Sequence, residues 1–262
     1  MNTILLYDAD GSIFQSCLDK KENTEDNLGF IYNLDDALLK FENKIMHTID
    51  VIEKDYDFQI LHTVLFLEGQ GNFRKAFNKS YKANRKEQDR PPLLNTLRDE
   101  ILTRYSNDEF STFKSINVET DDSLAATFMK YHLNDYGIQL IVVSPDKDLK
   151  TVPCLLFDNY YTRNELTSIT ELEAKRNLYT QMLVGDAADN IKAIKRMGKV
   201  GAEKLLKNAS SEFAMKRMVY AKYQKQFKRR AKEEYLKAWF SLQLNTEVYT
   251  PELDAIMFNA IN

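Results

Sequence analysis

Four apolar runs rich in β-branched residues punctuate the first part of the chain: TILLYDAD (3–10), HTVLFLEGQG (62–71), FKSINVETDD (113–122) and QLIVVSPDKD (139–148). Each is short and ends in acids or glycine. Such runs predict strands buried on both faces of a parallel sheet. Between them the apolar spacing becomes helical, in LDDALLKFENKIMHTIDVIEK (34–54) and DDSLAATFMKYHL (121–133). Alternating strand and helix predicts an α/β fold with a mostly parallel central sheet flanked by helices. ELEAKRNLYTQMLV (171–184) predicts a helix that starts with acids and stops at Gly185, and almost everything from Gly201 onward is helical. An α/β core over 1–170 is therefore expected to lead into a helical region over 171–262. No Pro-, Gly- or Ser-rich linker separates them.

GNFRKAFNKSYKANRK (71–86) predicts a helix for most of its length. Lys75, Lys79, Lys82 and Lys86 recur on one face, with Phe73, Phe77 and Tyr81 roughly opposite and Arg74 and Arg85 between. PPLL (91–94) ends this segment and NTLRDEILTRY starts another helix, so 69–110 reads as an excursion over one edge of the sheet.

Composition narrows this picture only modestly. A hydrophobic content of 44% over 262 residues supplies a core, and a net charge of −3 carries no overall signature of a nucleic-acid binder. Local charge pattern is what must be read. The start of the chain lacks the basic residues and long apolar run of a signal peptide, and no window has the length of a membrane span. Cys17 and Cys154 are too few for a disulfide framework or zinc site, and His47, His62 and His132 are scattered. The expectation is a soluble, cytoplasmic protein of a reducing compartment.

The acids change the picture more. Asp8 and Asp10, Glu68, Glu119 with Asp121 and Asp122, and Asp146 with Asp148 all follow predicted strands; Asp186 and Asp189 come after the helix at 171–184. A single acid of this kind is usually a helix cap or a turn residue. Acids at four strand ends converge on the edge where α/β sheets bind ligands, and they would repel one another without cations between them. Oxygen ligands without His or Cys favour magnesium or manganese. Two such ions about 4 Å apart can hydrolyse a phosphodiester. A mononuclear phosphatase and a phosphate-binding regulator stay open on these residues alone.

The basic segments have two readings each. The 71–86 segment is either a helix with a solvated cationic face or one that grips phosphate, with Lys82 and Arg85 facing the scissile group and Tyr81 stacking on a base. In LVGDAADNIKAIKRMGKVGAEKLL (183–206), Gly198 and Gly201 would let backbone N–H groups approach a phosphate, beside a helix N-terminus near Ala202. Lys192, Lys195, Arg196, Lys199 and Lys204 would add sequence-independent attraction. The alternative is a helical hairpin with a solvated surface. KRMVYAKYQKQFKRRAK (216–232) either extends the basic surface or is a solvated helix, and Trp239 and Phe240 read as core rather than as base-stacking residues.

DAD, YKANRK, VETDD, SPDKD and GDAADNI, in that order, resemble the motifs of the 5′-nuclease (flap endonuclease-like) superfamily. That group includes the 5′→3′ exonuclease domain of bacterial DNA polymerase I and the exonucleases of short-tailed phages. The resemblance runs from the first strand to about residue 206. It implies a PIN-like core with a helical arch or gateway at about 69–110 and a helix–three-turn–helix element at about 185–206. It further implies that Asp8, Glu119, Asp121 and Asp146 hold one metal, with Glu68 and Asp122 nearby, and that Asp148, Asp186 and Asp189 hold a second. Magnesium is the implied ion, with manganese able to substitute. Lys82 and Arg85 take the place of catalytic cations beside Asp146. Arg74, Lys75, Lys79, Tyr81 and Lys86 join Lys192, Lys195, Arg196, Gly198, Lys199, Gly201 and Lys204 as DNA contacts. Asp10 either supports the first ligand or caps a helix.

Two departures stand out. Glu68 replaces the usual Asp, and the turn after Asp189 has Gly198 and Gly201 with Lys199 at one expected glycine position. The monovalent-cation site built from that turn therefore stays open. The implied activity is a metal-dependent 5′→3′ exonuclease or flap endonuclease of replication or repair, giving 5′-phosphate products. Its partners would be duplex DNA with a 5′ end, flap or overhang, and RNA–DNA hybrids carrying primers. It would act as a monomer, in the host cytoplasm if phage-encoded. A non-catalytic DNA-binding homologue and a structure-specific ribonuclease of the same broader fold are the alternatives.

Overall fold

A computed structural model describes residues 1–19, 29–84, 90–132, 137–159, 163–248 and 250–261. In chain order, β1 (Asn2–Asp8) and α1 (Ala9–Ser16) precede a small hairpin of β2 (Leu18–Asp19) and β3 (Gly29–Phe30). Then come α2 (Leu34–Tyr56), β4 (Gln59–Leu67), the single turn α3 (Arg74–Phe77), α4 (Leu94–Arg104), β5 (Phe110–Lys114), α5 (Thr120–His132) and β6 (Gln139–Val143). A 3₁₀ turn at Lys147–Thr151 leads to β7 (Leu155–Asp158) and β8 (Glu165–Ser168). The rest is helical: α6 (Glu171–Val184), α7 (Lys199–Leu206), α8 (Glu212–Phe227), α9 (Ala231–Leu242) and α10 (Pro251–Ile261).

The main sheet has the order β5-β4-β1-β6-β7-β8 and is parallel except for β8. The apolar runs of β1, β4 and β6 are continuous because both faces are covered. Leu5 and Tyr7 of β1 join the core under α1, α2 and α4, whereas Ile4 and Leu6 join the core under α5 and α10. The chain leaves β1 towards β4 on one side and returns at β6 on the other. A crevice therefore opens at the carboxyl ends of β1, β4 and β6. A third core, built by α6, α7, α8 and α9, carries Tyr179, Met215 and Tyr223.

The structure corrects several expectations. β5 is Phe110–Lys114, not 113–122, because the following residues turn back to pair with the loop after β4. Ser115 N–H donates to Leu67 and Asn117 N–H to Gln70. Gly69 makes this possible: a Cβ there would lie 1.8 Å from the Ser115 carbonyl oxygen. β7 and β8 carry no expectation from the sequence; both have four residues, and β8 is largely exposed. The long helix expected over 71–86 is only the turn Arg74–Phe77. Asn78 ends it by accepting from the Ser80 N–H and hydroxyl, a local bond that competes with helix. Residues 79–84 are turns. Among the described residues, Lys75, Lys79 and Lys82 therefore share no helical face. Phe240, expected in the core, is 38% exposed.

Candidate metal centre

The crevice is a cleft of about 530 Å³ lined by Asp8, Asp10, Glu68, Lys82, Glu119, Asp121 and Asp146, among others. Each acid has a local reason for its place. Asp8 ends β1 and accepts from the Ser144 hydroxyl at 2.9 Å. Asp146 follows β6 and accepts from the Asp148 N–H at 2.8 Å, which opens the 3₁₀ turn and aims both carboxylates at one end of the sheet. Asp121 sits in the first turn of α5, where helix N–H groups favour negative charge. Asp148 accepts from the Gln181 amide at 2.8 Å.

Asp186 and Asp189 arrive on a tight turn after α6. Gly185 adopts φ 74° and ψ 178°, and a Cβ there would lie 2.5 Å from the Ala193 nitrogen. The turn closes by exchanged backbone bonds between Asp186 and Ile191. One Asp186 oxygen accepts the N–H groups of Ala188 and Asp189, and the other takes the Lys147 ammonium at 2.5 Å. Asp148, Asp186 and Asp189 each offer an oxygen within 4.8 Å of the others and can hold a metal ion.

Electrostatics separates these acids from ordinary surface carboxylates. Burial, then Asp10 and Asp146, push Asp8 up to about 7, against the Ser144 hydrogen bond. Burial and Asp146 push Asp148 up to about 7 against the charge of Lys147. Burial, with Asp146, Asp8, Asp148 and Glu119, holds Asp121 well above the usual carboxylate range. Burial also acts to raise Asp186, but the hydrogen bond and charge of Lys147 outweigh it and bring that carboxyl below its ordinary value. All the donors are hard oxygens, and the mutual repulsion is what a divalent cation would relieve. The residues fit magnesium-like ions.

The segment from Arg74 to Lys82 presses on this cluster. Arg74, expected at a DNA surface, is 1% exposed. It meets Asp122 with two bonds of 2.6 and 2.7 Å and donates to the carbonyls of Ser241 and Gln243. Asp122, expected near a metal, is fully buried and also accepts from the Glu119 and Asn245 N–H groups. Its oxygens are committed to holding the fold. Tyr81, expected to stack on a base, is buried, with its hydroxyl 2.8 Å from Glu119 and 3.0 Å from Asp189. Burial and both carboxylates push its phenol well up. Lys82 takes a left-handed backbone (φ 55°), donates its N–H to the Asp189 carbonyl and places its ammonium on Glu119. The Asn84 amide donates to the Ala187 carbonyl and the Asn190 amide to the Ser80 carbonyl, so the two turns are zipped together.

Asp10 neither caps a helix nor faces the cluster freely. One oxygen takes the Arg98 guanidinium; the other accepts the Glu68 N–H at 2.5 Å and the Thr120 hydroxyl at 3.1 Å. Glu68 borders the cleft with a side chain 67% exposed, at 4.0 Å from Arg98. Arg98, Ser144, Gln181, Lys147 and the side chains of Asn78, Asn84 and Asn190 escaped the sequence reading. The asparagines had a signal in their preference for turns; the rest pair across long stretches of chain and leave no local trace.

No protein-family model matches the chain, and no curated protein does. Solved structures do. A bacteriophage T5 flap endonuclease, crystallised as a pseudo-enzyme-product complex with DNA and metal ions, shares 17% identity over 100% of both chains, with a TM-score of 0.67. The T5 5′-exonuclease with bound zinc matches at 17% identity over 100% of this chain and 98% of that one, with a TM-score of 0.60. The chain has the 5′-nuclease fold.

Within the 5′-nuclease fold, the expected duplex-gripping stretch at about 185–206 is a run of turns after α6 followed by the single helix α7. Gly198 caps α7, which starts at Lys199 rather than near Ala202, and Gly201 lies inside the helix. The left-handed residue of the turn is Arg196, at φ 61°. Neither glycine has a positive φ, and the residue of the turn before α7 that does is Arg196. Lys192, Lys195, Arg196, Lys199 and Lys204 are exposed, as are Lys75 and Lys79. The Gln226 side chain of α8 ties this turn down through the Lys195 N–H and the Ala193 carbonyl. Arg85 and Lys86 lie outside the described residues. No helix among the described residues is long and apolar enough to cross a membrane.

Proposed function

We propose that this protein is a metal-dependent nuclease that hydrolyses DNA from or near 5′ ends, acting as a monomer. The observation that carries the reading is the crowding of Asp8, Glu119, Asp121, Asp146, Asp148, Asp186 and Asp189 at one sheet edge. Among the described residues Lys82 covers Glu119 and Lys147 covers Asp186, while no ion pair reaches Asp121. Asp8, Glu119, Asp121 and Asp146 would hold one magnesium ion, and Asp148, Asp186 and Asp189 a second. Bound there, the ions supply an activated water and positive charge at the leaving oxygen. Ser144 and Gln181 keep Asp8 and Asp148 oriented, and Tyr81 fixes Glu119 relative to Asp189. Lys82 stands at the cleft with a cation that a phosphate can draw off Glu119, and Arg85 follows it in sequence. Lys192, Lys195, Arg196, Lys199 and Lys204 offer a basic face to the duplex, with an attraction that weakens steeply with salt.

The test uses end-labelled duplexes, 5′ flaps and RNA–DNA hybrids with magnesium or with EDTA. Magnesium-dependent release of products bearing 5′ phosphates is the expected result, and the substrate panel ranks exonuclease against flap cleavage and DNA against hybrid. Binding without cleavage on every substrate would assign the chain to a non-catalytic DNA-binding role instead. Asp146→Ala should abolish cleavage while duplex binding stays within about threefold, since the phosphate grip lies elsewhere.

A further inference from the structure

The segment bordering the cleft turns its charged and hydroxyl groups inward, through Arg74, Tyr81 and Lys82. Its other side is aromatic. Phe77 is 58% exposed and stacks on Phe240, itself 38% exposed, with ring centroids 5.2 Å apart and planes 9° from parallel. Phe73 meets Phe77 edge-on, and Trp239 meets Phe240 edge-on at 4.9 Å. The four rings make a ribbon running from α3 onto α9. Single exposed apolar side chains need no explanation, but a contiguous aromatic patch marks a surface with an occupant.

Charge identifies the occupant. Lys75 and Lys79 flank Phe77 two residues to either side, and both are exposed. Neither 71–84 nor 235–245 contains an acid. Exposed ring faces on a segment that carries two exposed lysines and no acid of its own suit a single-stranded polynucleotide. Its bases have free faces and its backbone is anionic. A duplex hides those faces inside its stack.

We propose that Phe77 and Phe240, edged by Phe73 and Trp239, form a stacking site for unpaired bases of a single strand whose phosphates meet Lys75 and Lys79. The proposal rests on the DNA-nuclease reading and names which part of the substrate this surface holds. A strand stacked there lies on the outer side of the segment whose inner side touches Glu119.

Trp239 is the only tryptophan in the chain, so its fluorescence reports on the patch. The experiment titrates the protein in EDTA and low salt with an oligothymidylate and, separately, with a blunt duplex. Saturable quenching by the oligothymidylate is expected. Phe77→Ala and Phe240→Ala should each weaken single-strand affinity by about 5- to 100-fold, the range for losing one base–aromatic stack. Duplex affinity and Tm should stay near wild type. Phe77→Trp should restore single-strand binding, and Lys75→Ala should flatten its salt dependence. No quenching, or equal losses for duplex and single strand, overturns the stacking site. So does a concentration-dependent dimer that Phe77→Ala dissolves, since the patch then belongs to a second copy. Quenching without cleavage of any substrate leaves the stacking site standing and removes the nuclease reading. Cleavage without quenching removes only the stacking site.

Discussion

Asp121 and Asp122 are adjacent residues of one helix with opposite fates. Asp122 turns into the protein, where Arg74 and two backbone N–H groups satisfy its oxygens. Asp121 turns into the cleft, towards Asp146, Asp8, Asp148 and Glu119, and no ion pair reaches it among the described residues. The two side chains share their chemistry and differ in whether the chain neutralises them. A carboxylate paired from within is a pin that holds elements together. One crowded by its own kind is a demand for a cation from outside. Asp186 falls between, because an exposed lysine covers one of its oxygens.

The comparison breaks most visibly at the pin. Arg74→Ala leaves Asp122 buried without its partner and should cost about 3–5 kcal/mol, measured by urea unfolding. A loss below about 1 kcal/mol would mean that Asp122 finds water or protonates cheaply, and the contrast with Asp121 would collapse.

The cleft should respond with the opposite sign. Asp8 and Asp148 have folded-state pKa values raised from 3.8 to about 7, so the folded protein holds more protons than the unfolded chain between those limits. Metal-free stability should therefore fall as pH climbs from about 4 to about 7. Magnesium held by the folded state as proposed should raise Tm at neutral pH by several degrees, about 1–3 kcal/mol at saturating ion. Thermal melts in EDTA and in magnesium check both slopes. Asp121→Asn removes one repelling charge, so it should raise the EDTA melting point at pH 7 and shrink the magnesium response. A flat EDTA profile would show that the cleft acids are not charge-crowded.

The smallest effect belongs to the intermediate case. Lys147 is largely exposed, so Lys147→Ala should change stability by less than about 1 kcal/mol. It removes a cation that competes for Asp186, and magnesium affinity measured by calorimetry should rise by a few fold. A weaker affinity would instead make Lys147 part of the support for the ligand set.

How much of this was legible follows the range of the interactions. The buried strands and their terminal acids were readable because burial on two faces writes continuous apolar runs into the sequence. The trio Asp148, Asp186 and Asp189, grouped through the family resemblance, lies close together in space. The 71–86 helix was misread because lysine and aromatic spacing mimics a helical face, while Asn78 stops the helix with one side-chain bond. Arg74 shows the limit most clearly. Nothing near it in sequence distinguishes a guanidinium aimed at Asp122 from one aimed at solvent. Its neighbours Lys75 and Lys79 are in fact exposed.

The pin also sets a clock on the protein's synthesis. Asp122 takes a backbone N–H from Asn245, 123 residues later, and Arg74 takes carbonyls 167 and 169 residues downstream. Contacts of such sequence separation close late, after the local helices and the inner strands have formed. A growing chain therefore exposes its acids well before it can brace them. The arginine that holds the cleft's border in place acquires its last partners only when residues 241–245 have left the ribosome, so the acidic edge is braced after most of the molecule already exists.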